Sequence, residues 1–140
     1  MQTVENKIDK QLIEKRVSDW KKRIAELYSN INTWLSDSEY ALKVGHKLTM
    51  YEELMAHYDV PATEIDTKDV YKGKTFILAF KPRGLWIIGA NGRIDILTTN
   101  GNYILVDSAA PFETPQWKLF NGDRNNGVEF TESTFLKLLK

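Results

Sequence analysis

Residues 75–107 read TFILAFKPRGLWIIGANGRIDILTTNGNYILVD, and this stretch decides the fold. It divides into short runs rich in Ile, Leu, Phe, Tyr and Val: Thr75 to Phe80, Leu85 to Ala90, Arg93 to Thr98 and Tyr103 to Asp107. Lys81-Pro82-Arg83-Gly84, Asn91-Gly92 and Asn100-Gly101 punctuate them. Asn-Gly between apolar runs is a strong hairpin signal, because both central residues of a type I′ turn take positive φ. Two such turns in succession predict an antiparallel β-meander of at least four strands.

The turns also predict a register. With Asn91-Gly92 as a two-residue turn, Trp86 faces Leu97 and Ile88 faces Asp95. With Asn100-Gly101 likewise, Leu97 faces Ile104 and Asp95 faces Val106. Strand alternation then places Phe76, Leu78, Phe80, Leu85, Ile87, Ile94, Ile96 and Leu105 on one face. The other carries Ile77, Ala79, Trp86, Ile88, Leu97, Ile104 and Val106. Both faces are apolar at their centre, so each calls for a cover.

Upstream, Ile13, Val17, Trp20, Ile24, Leu27, Ile31 and Trp34 recur at spacings of four and three, the signature of one apolar stripe on a helix. No Pro or Gly interrupts residues 1–36, and Asp19 to Arg23 reads as an i,i+4 ion pair on the polar side. The helix is expected to end at Ser36-Asp37-Ser38. About thirty helical residues span ~45 Å, against a four-strand platform only ~20 Å across. Such a helix either breaks near Ser18 or overhangs and packs on a partner, which points to self-association. As a coiled-coil seam the stripe would put Trp20 and Trp34 at d positions, so packing on a sheet is the better fit.

A short strand is expected at Tyr40 to Val44. A second helix is expected from Thr49, where Thr49 and Glu52 fit a capping box, and it should stop before Pro61. Downstream come a Pro-bearing loop from Ser108 to Gln116, a strand at Trp117 to Phe120, a polar loop at Asn121 to Gly127, and a short helix capped by Thr131. The fold class is thus α+β: one domain over residues 1–140, with a meander of four to five strands, a long N-terminal helix and two short helices.

The chain has 140 residues and balances nineteen basic against nineteen acidic side chains, so no global field draws it to nucleic acid or anionic lipid. It has no cysteine, which rules out disulfides and thiol chemistry and suits a reducing cytoplasm. No stretch approaches a membrane-spanning length of apolar residues, so no membrane association is expected. No signal-like apolar core is visible near Met1.

The sharpest catalytic pattern is a helix followed by a meander with Asp95 on one strand and Asp107 on the next, which resembles the layout of restriction-endonuclease-like nucleases. Two features oppose it. Ala109 stands where that resemblance implies a lysine, and the predicted register puts the two carboxylates on opposite faces, where they cannot share a metal ion. Gly73-Lys74-Thr75 lacks the glycine a P-loop requires, since that position is Lys68. His46 and His57 are the only histidines, and the Glu53/His57 spacing recurs constantly on solvated helix faces. No catalytic set, metal site or cofactor motif is assigned.

Binding residues are chosen instead. Arg83 sits in the Lys-Pro-Arg-Gly tip, which as a tight turn would hold a guanidinium outward for phosphate or carboxylate. Trp86, Arg93 and Asp95 complete the candidate set. Lys72, Lys74 and Lys81 nearby, with Tyr71 and Tyr103, raise nucleic-acid binding as an option that interleaved acids on the helix disfavour. The leading expectation is a non-catalytic binding or interaction protein with a protein partner or a second copy of itself. A diverged metal-dependent nuclease and a small-ligand binder, with its pocket between the meander and the Ser108 to Gln116 loop, are the alternatives.

Overall fold

In the computed structural model, which describes residues 9–84, 92–121 and 127–140, the N-terminal stripe forms one continuous helix, α1 (Lys10–Leu35). There follow β1 (Tyr40–Met50), α2 (Glu53–His57), β2 (Thr63–Lys72), β3 (Thr75–Gly84), β4 (Arg93–Thr98), β5 (Gly101–Asp107), β6 (Trp117–Phe120), β7 (Val128–Glu129) and α3 (Glu132–Lys137). All seven strands lie in one antiparallel sheet in chain order, so the meander is longer than its sequence signature. The architecture is α+β, and no helix among the described residues is long and apolar enough to cross a membrane.

Asp9 starts α1 by accepting the Leu12 amide at 2.9 Å, satisfying one of the unpaired N–H groups of the first turn. The helix ends as expected, where the Ser36 and Ser38 hydroxyls donate to the carbonyls of Thr33 and Leu35. It does not break near Ser18. Its 26 residues span ~39 Å, and seven strands at ~4.8 Å make a platform ~29 Å across. The stripe is buried from end to end, with Ile13 and Leu35 each 2% exposed. The helix still exceeds that width by about 10 Å, but the wider sheet and the short helices leave no bare apolar overhang of the kind that suggested self-association. Each fully buried aliphatic of the stripe contributes about 1.5–3 kcal/mol.

All three helices pack on one side of the sheet. Leu78, Phe80, Ile94, Ile96 and Leu105 meet α1 there, as alternation predicts, and α2 contributes the fully buried Met55. Phe135 of α3 lies against Phe80, Trp34 and Phe130, with ring centroids 5.8–6.1 Å apart. Phe76 departs from the prediction. A bulge between Val70 and Tyr71 turns it outward, 39% exposed and edge-on to Tyr71, while Ile77 packs against the core.

Several predicted elements move. The run Leu85 to Ala90, including Trp86, and Asn91 of the first Asn-Gly turn lie outside the described residues, as do residues 1–8 and 122–126. Arg93 to Thr98 pairs with β3 on one edge and with β5 on the other. Lys81-Pro82-Arg83-Gly84 is accordingly the end of β3, not a turn. The second turn uses Thr99-Asn100, which pairs Asp95 with Ile104 and Leu97 with Asn102. This differs from the predicted register by two residues, an even shift that leaves every side chain on its assigned face. β1 runs through Thr49 and Met50, so the second helix begins only at Glu53 and has no side-chain cap.

The sheet's edges are blunted. β1 carries Lys43 and Lys47 and a bulge between Val44 and Lys47, and β7 has two residues. Thr67 on β2 fills that bulge: its hydroxyl oxygen accepts the His46 amide at 2.8 Å and sits where a Gly45 side chain would have to go.

Candidate functional site

Of the binding residues chosen from sequence, Arg83, Arg93 and Asp95 come together, and Trp86 lies outside the described residues. Asp95 accepts Nε–H of Arg83 on one carboxylate oxygen and Nε–H of Arg93 on the other, each at 2.8 Å. The bulge between Pro82 and Gly84 brings this about. It inserts Arg83 as an extra residue in β3, so its side chain reaches across to Asp95 on β4. Arg83 is 51% exposed, Arg93 34% and Asp95 15%, so the cluster sits at the surface with one positive charge in excess.

The cluster lies on the side of the sheet away from the helices. The register puts Lys81 beside Asp95, Val106 beside Arg93, and Lys118 beside Val106 on the same face. Leu97, Ile104 and Phe120, all half-buried, share it. Between β3 and β6 the described residues of this surface therefore form an aliphatic centre with four cations against the single carboxylate of Asp95. Tyr103, a stacking candidate from sequence, instead packs against the core.

Asp107 has a different environment on the opposite face. It is fully buried and accepts Nη1–H of Arg23 at 2.6 Å, while its second oxygen takes the amides of Ala109 and Gln116 at 3.0 Å. Arg23, 2% exposed, also donates to Asp19 at 2.7 Å and to the carbonyls of Ala110 and Glu113. The Asp19–Arg23 pair thus forms, but inside the protein and not on the polar side of α1. Burial pulls the Arg23 pKa down, yet its hydrogen bonds to Asp19 and Asp107 outweigh burial and hold it above the ordinary value. The sequence singled out Asp107 and the Asp19–Arg23 pair but not their union, which joins residues 84 positions apart.

Asp95 and Asp107 therefore sit on opposite faces, each held by arginine. The histidines do not meet: His57 stacks edge-on with Tyr58, and His46 lies beside Thr67. Among the described residues no three His, Asp or Glu side chains gather as a metal site. Gly73-Lys74 forms the β2–β3 turn, with Gly73 at φ 62°.

The Ser108 to Gln116 loop, held down by Arg23, borders a polar groove of about 240 Å³ against α1 and, at its Pro115–Gln116 end, a second groove of about 420 Å³ lined by Leu27, Trp34, Trp117 and Phe130. A further cavity of about 300 Å³ opens at the end of β1, lined by Trp20, Met50, Tyr51, Glu52, Pro82 and Arg83. That volume is the lower limit of small-molecule sites. Trp20 is fully buried, 6.0 Å from Trp117, and Gly92 touches its six-membered ring so closely that a Cβ would lie 2.1 Å from Cζ3.

No family model, no curated protein and no solved structure matches the chain.

Proposed function

We propose that this chain is a non-catalytic binding protein that engages another protein through the helix-free face of its sheet. The observation that carries the reading is the Arg83–Asp95–Arg93 cluster. A carboxylate on a strand fixes two arginines at the surface, beside half-exposed aliphatic side chains. Arginine next to apolar side chains is the composition of binding hot spots. The acids of the nuclease alternative supply no support for it, since Asp107 is consumed in holding a loop to α1.

Affinity capture with the immobilised chain tests the reading. The comparison is between wild type, an Arg83→Glu/Arg93→Glu variant and a control with Lys10→Glu/Lys15→Glu on exposed positions of α1. Proteins retained by wild type and the control but lost from the arginine variant are the expected result. The same retention by all three would remove this face from the function. A parallel incubation with DNA and magnesium or manganese should leave the DNA intact; cleavage abolished by Asp95→Ala would replace the proposal with the nuclease.

A further inference from the structure

We infer that the occupant of the helix-free face is a short acidic segment of a partner protein, with carboxylates on the Arg83–Arg93 corner and aliphatic side chains over Leu97 and Ile104. This rests on the binding reading above and adds the chemistry of the partner.

Charge comes first. The chain as a whole is neutral, yet among the described residues Lys81, Arg83, Arg93 and Lys118 share this face between β3 and β6 with Asp95 as the one carboxylate. Glu129, opposite Lys118, lies at the β7 edge. The local excess is positive, and complementary charge selects partners and speeds their encounter.

Size comes second. Four strands at ~4.8 Å and about six residues at ~3.3 Å make a patch of ~400 Å². A stable interface between folded proteins takes ~800 Å² from each partner. The patch suits a segment better than a second copy of the chain, and two copies meeting through it would oppose like charges.

Surface chemistry comes third. Single-stranded nucleic acid needs aromatic rings on which bases stack. Among the described residues Phe120 is the aromatic beside the cationic cluster, Phe76 lies at the far end of β3 with its ring against Tyr71, and Tyr103 and Trp117 turn into the core. The accessible centre is aliphatic, formed by the half-buried Leu97 and Ile104 over the buried Val106, which favours a peptide carrying leucine or a similar side chain among its acids.

The test is fluorescence anisotropy on the full chain with a short labelled peptide of alternating glutamate and leucine. Three comparison probes accompany it: the same peptide with lysine for glutamate, the same with serine for leucine, and oligothymidylate. The glutamate–leucine peptide is expected to bind, to weaken as salt rises, and to lose about tenfold in affinity with Arg83→Ala/Arg93→Ala, a change of 1.4 kcal/mol. The serine peptide should bind less well and the lysine peptide not at all. Circular dichroism confirms that the variant is folded. Lys81→Ala/Lys118→Ala, which leaves the arginine cluster in place, should weaken binding about twofold to fivefold and flatten its salt dependence. The inference is overturned if the glutamate–leucine peptide fails to bind, binds both arginine variant and wild type equally, or is outcompeted by oligothymidylate. If acidic peptides fail while capture still depends on Arg83 and Arg93, the face remains the binding surface and only the partner chemistry is wrong.

Discussion

Two arginine–aspartate clusters sit on opposite faces of one sheet and do different work. Around Arg23, both oxygens of Asp107 are engaged, two loop carbonyls accept from the guanidinium, and neither residue is more than 2% exposed. This arrangement ties the Ser108 to Gln116 loop to α1. Around Asp95 the arginines reach water, with Arg83 half exposed and Arg93 about a third exposed. An ion pair stripped of water is costly to break, because removing one partner leaves a buried charge unpaired. An exposed pair is screened and adds little to stability. The same chemistry is thus structural on one face and available for binding on the other.

Breaking the buried cluster should give the largest effect. Arg23→Ala is expected to destabilise the chain by about 3–5 kcal/mol in urea unfolding. Asp107→Ala should be of similar size, and the double variant far short of their sum, since each removes the same interaction. Additive losses would show that the two residues act separately.

Gly92 stands between the clusters, and its substitution sharpens the contrast. Its carbonyl accepts the Asp107 amide at 3.2 Å, its φ is 115°, and the Trp20 ring fills the space of a side chain. Gly92→Ala should cost roughly 2–4 kcal/mol through strain and overpacking together. A neutral substitution would mean the Trp20 contact is loose.

Tyr28 reads the buried side by pH. Burial, with the nearby negative charges of Asp66 and Asp69, pushes its pKa up, and its hydroxyl donates to the Asp66 carbonyl at 3.0 Å. The folded state therefore holds the phenol proton more tightly than the unfolded chain. Its contribution is complete below the ordinary tyrosine pKa of about 10 and is lost as pH climbs above it. Tyr28→Phe should cost about 1 kcal/mol near neutrality. The gap between wild type and variant should narrow above about pH 10; a gap that widened there would contradict the sign.

The smallest effect is expected on the exposed cluster. Arg93→Ala or Asp95→Asn should change stability by less than about 1 kcal/mol, while binding to the helix-free face falls.

The centre of the fold was legible because its residues obey one rule at a time. Ile94, Ile96 and Leu105 alternate strictly, and Trp20 to Ile31 keep helical spacing, so both partners of the core announce themselves. β1 was half hidden because an edge strand needs little apolar alternation, and Gly45, His46 and Lys47 at its bulge break what there is. β2 was missed because its fully buried centre includes Thr67, whose role is to serve the neighbouring bulge, and its charged residues mask Ile65 and Val70. The candidate site was legible in composition, not in geometry. Arg83, Arg93 and Asp95 were chosen from sequence, but the Lys-Pro-Arg-Gly segment was read as a turn. Proline and glycine mark a bulge and a turn alike, and only the pairing of β3 with β4 separates the two.

The most direct test is urea unfolding of Arg93→Ala beside Arg23→Ala under identical conditions. Arg93→Ala should unfold with wild type, and Arg23→Ala should lose about 3–5 kcal/mol. Equal destabilisation by both would make the surface cluster part of the scaffold and contradict its assignment as the binding site.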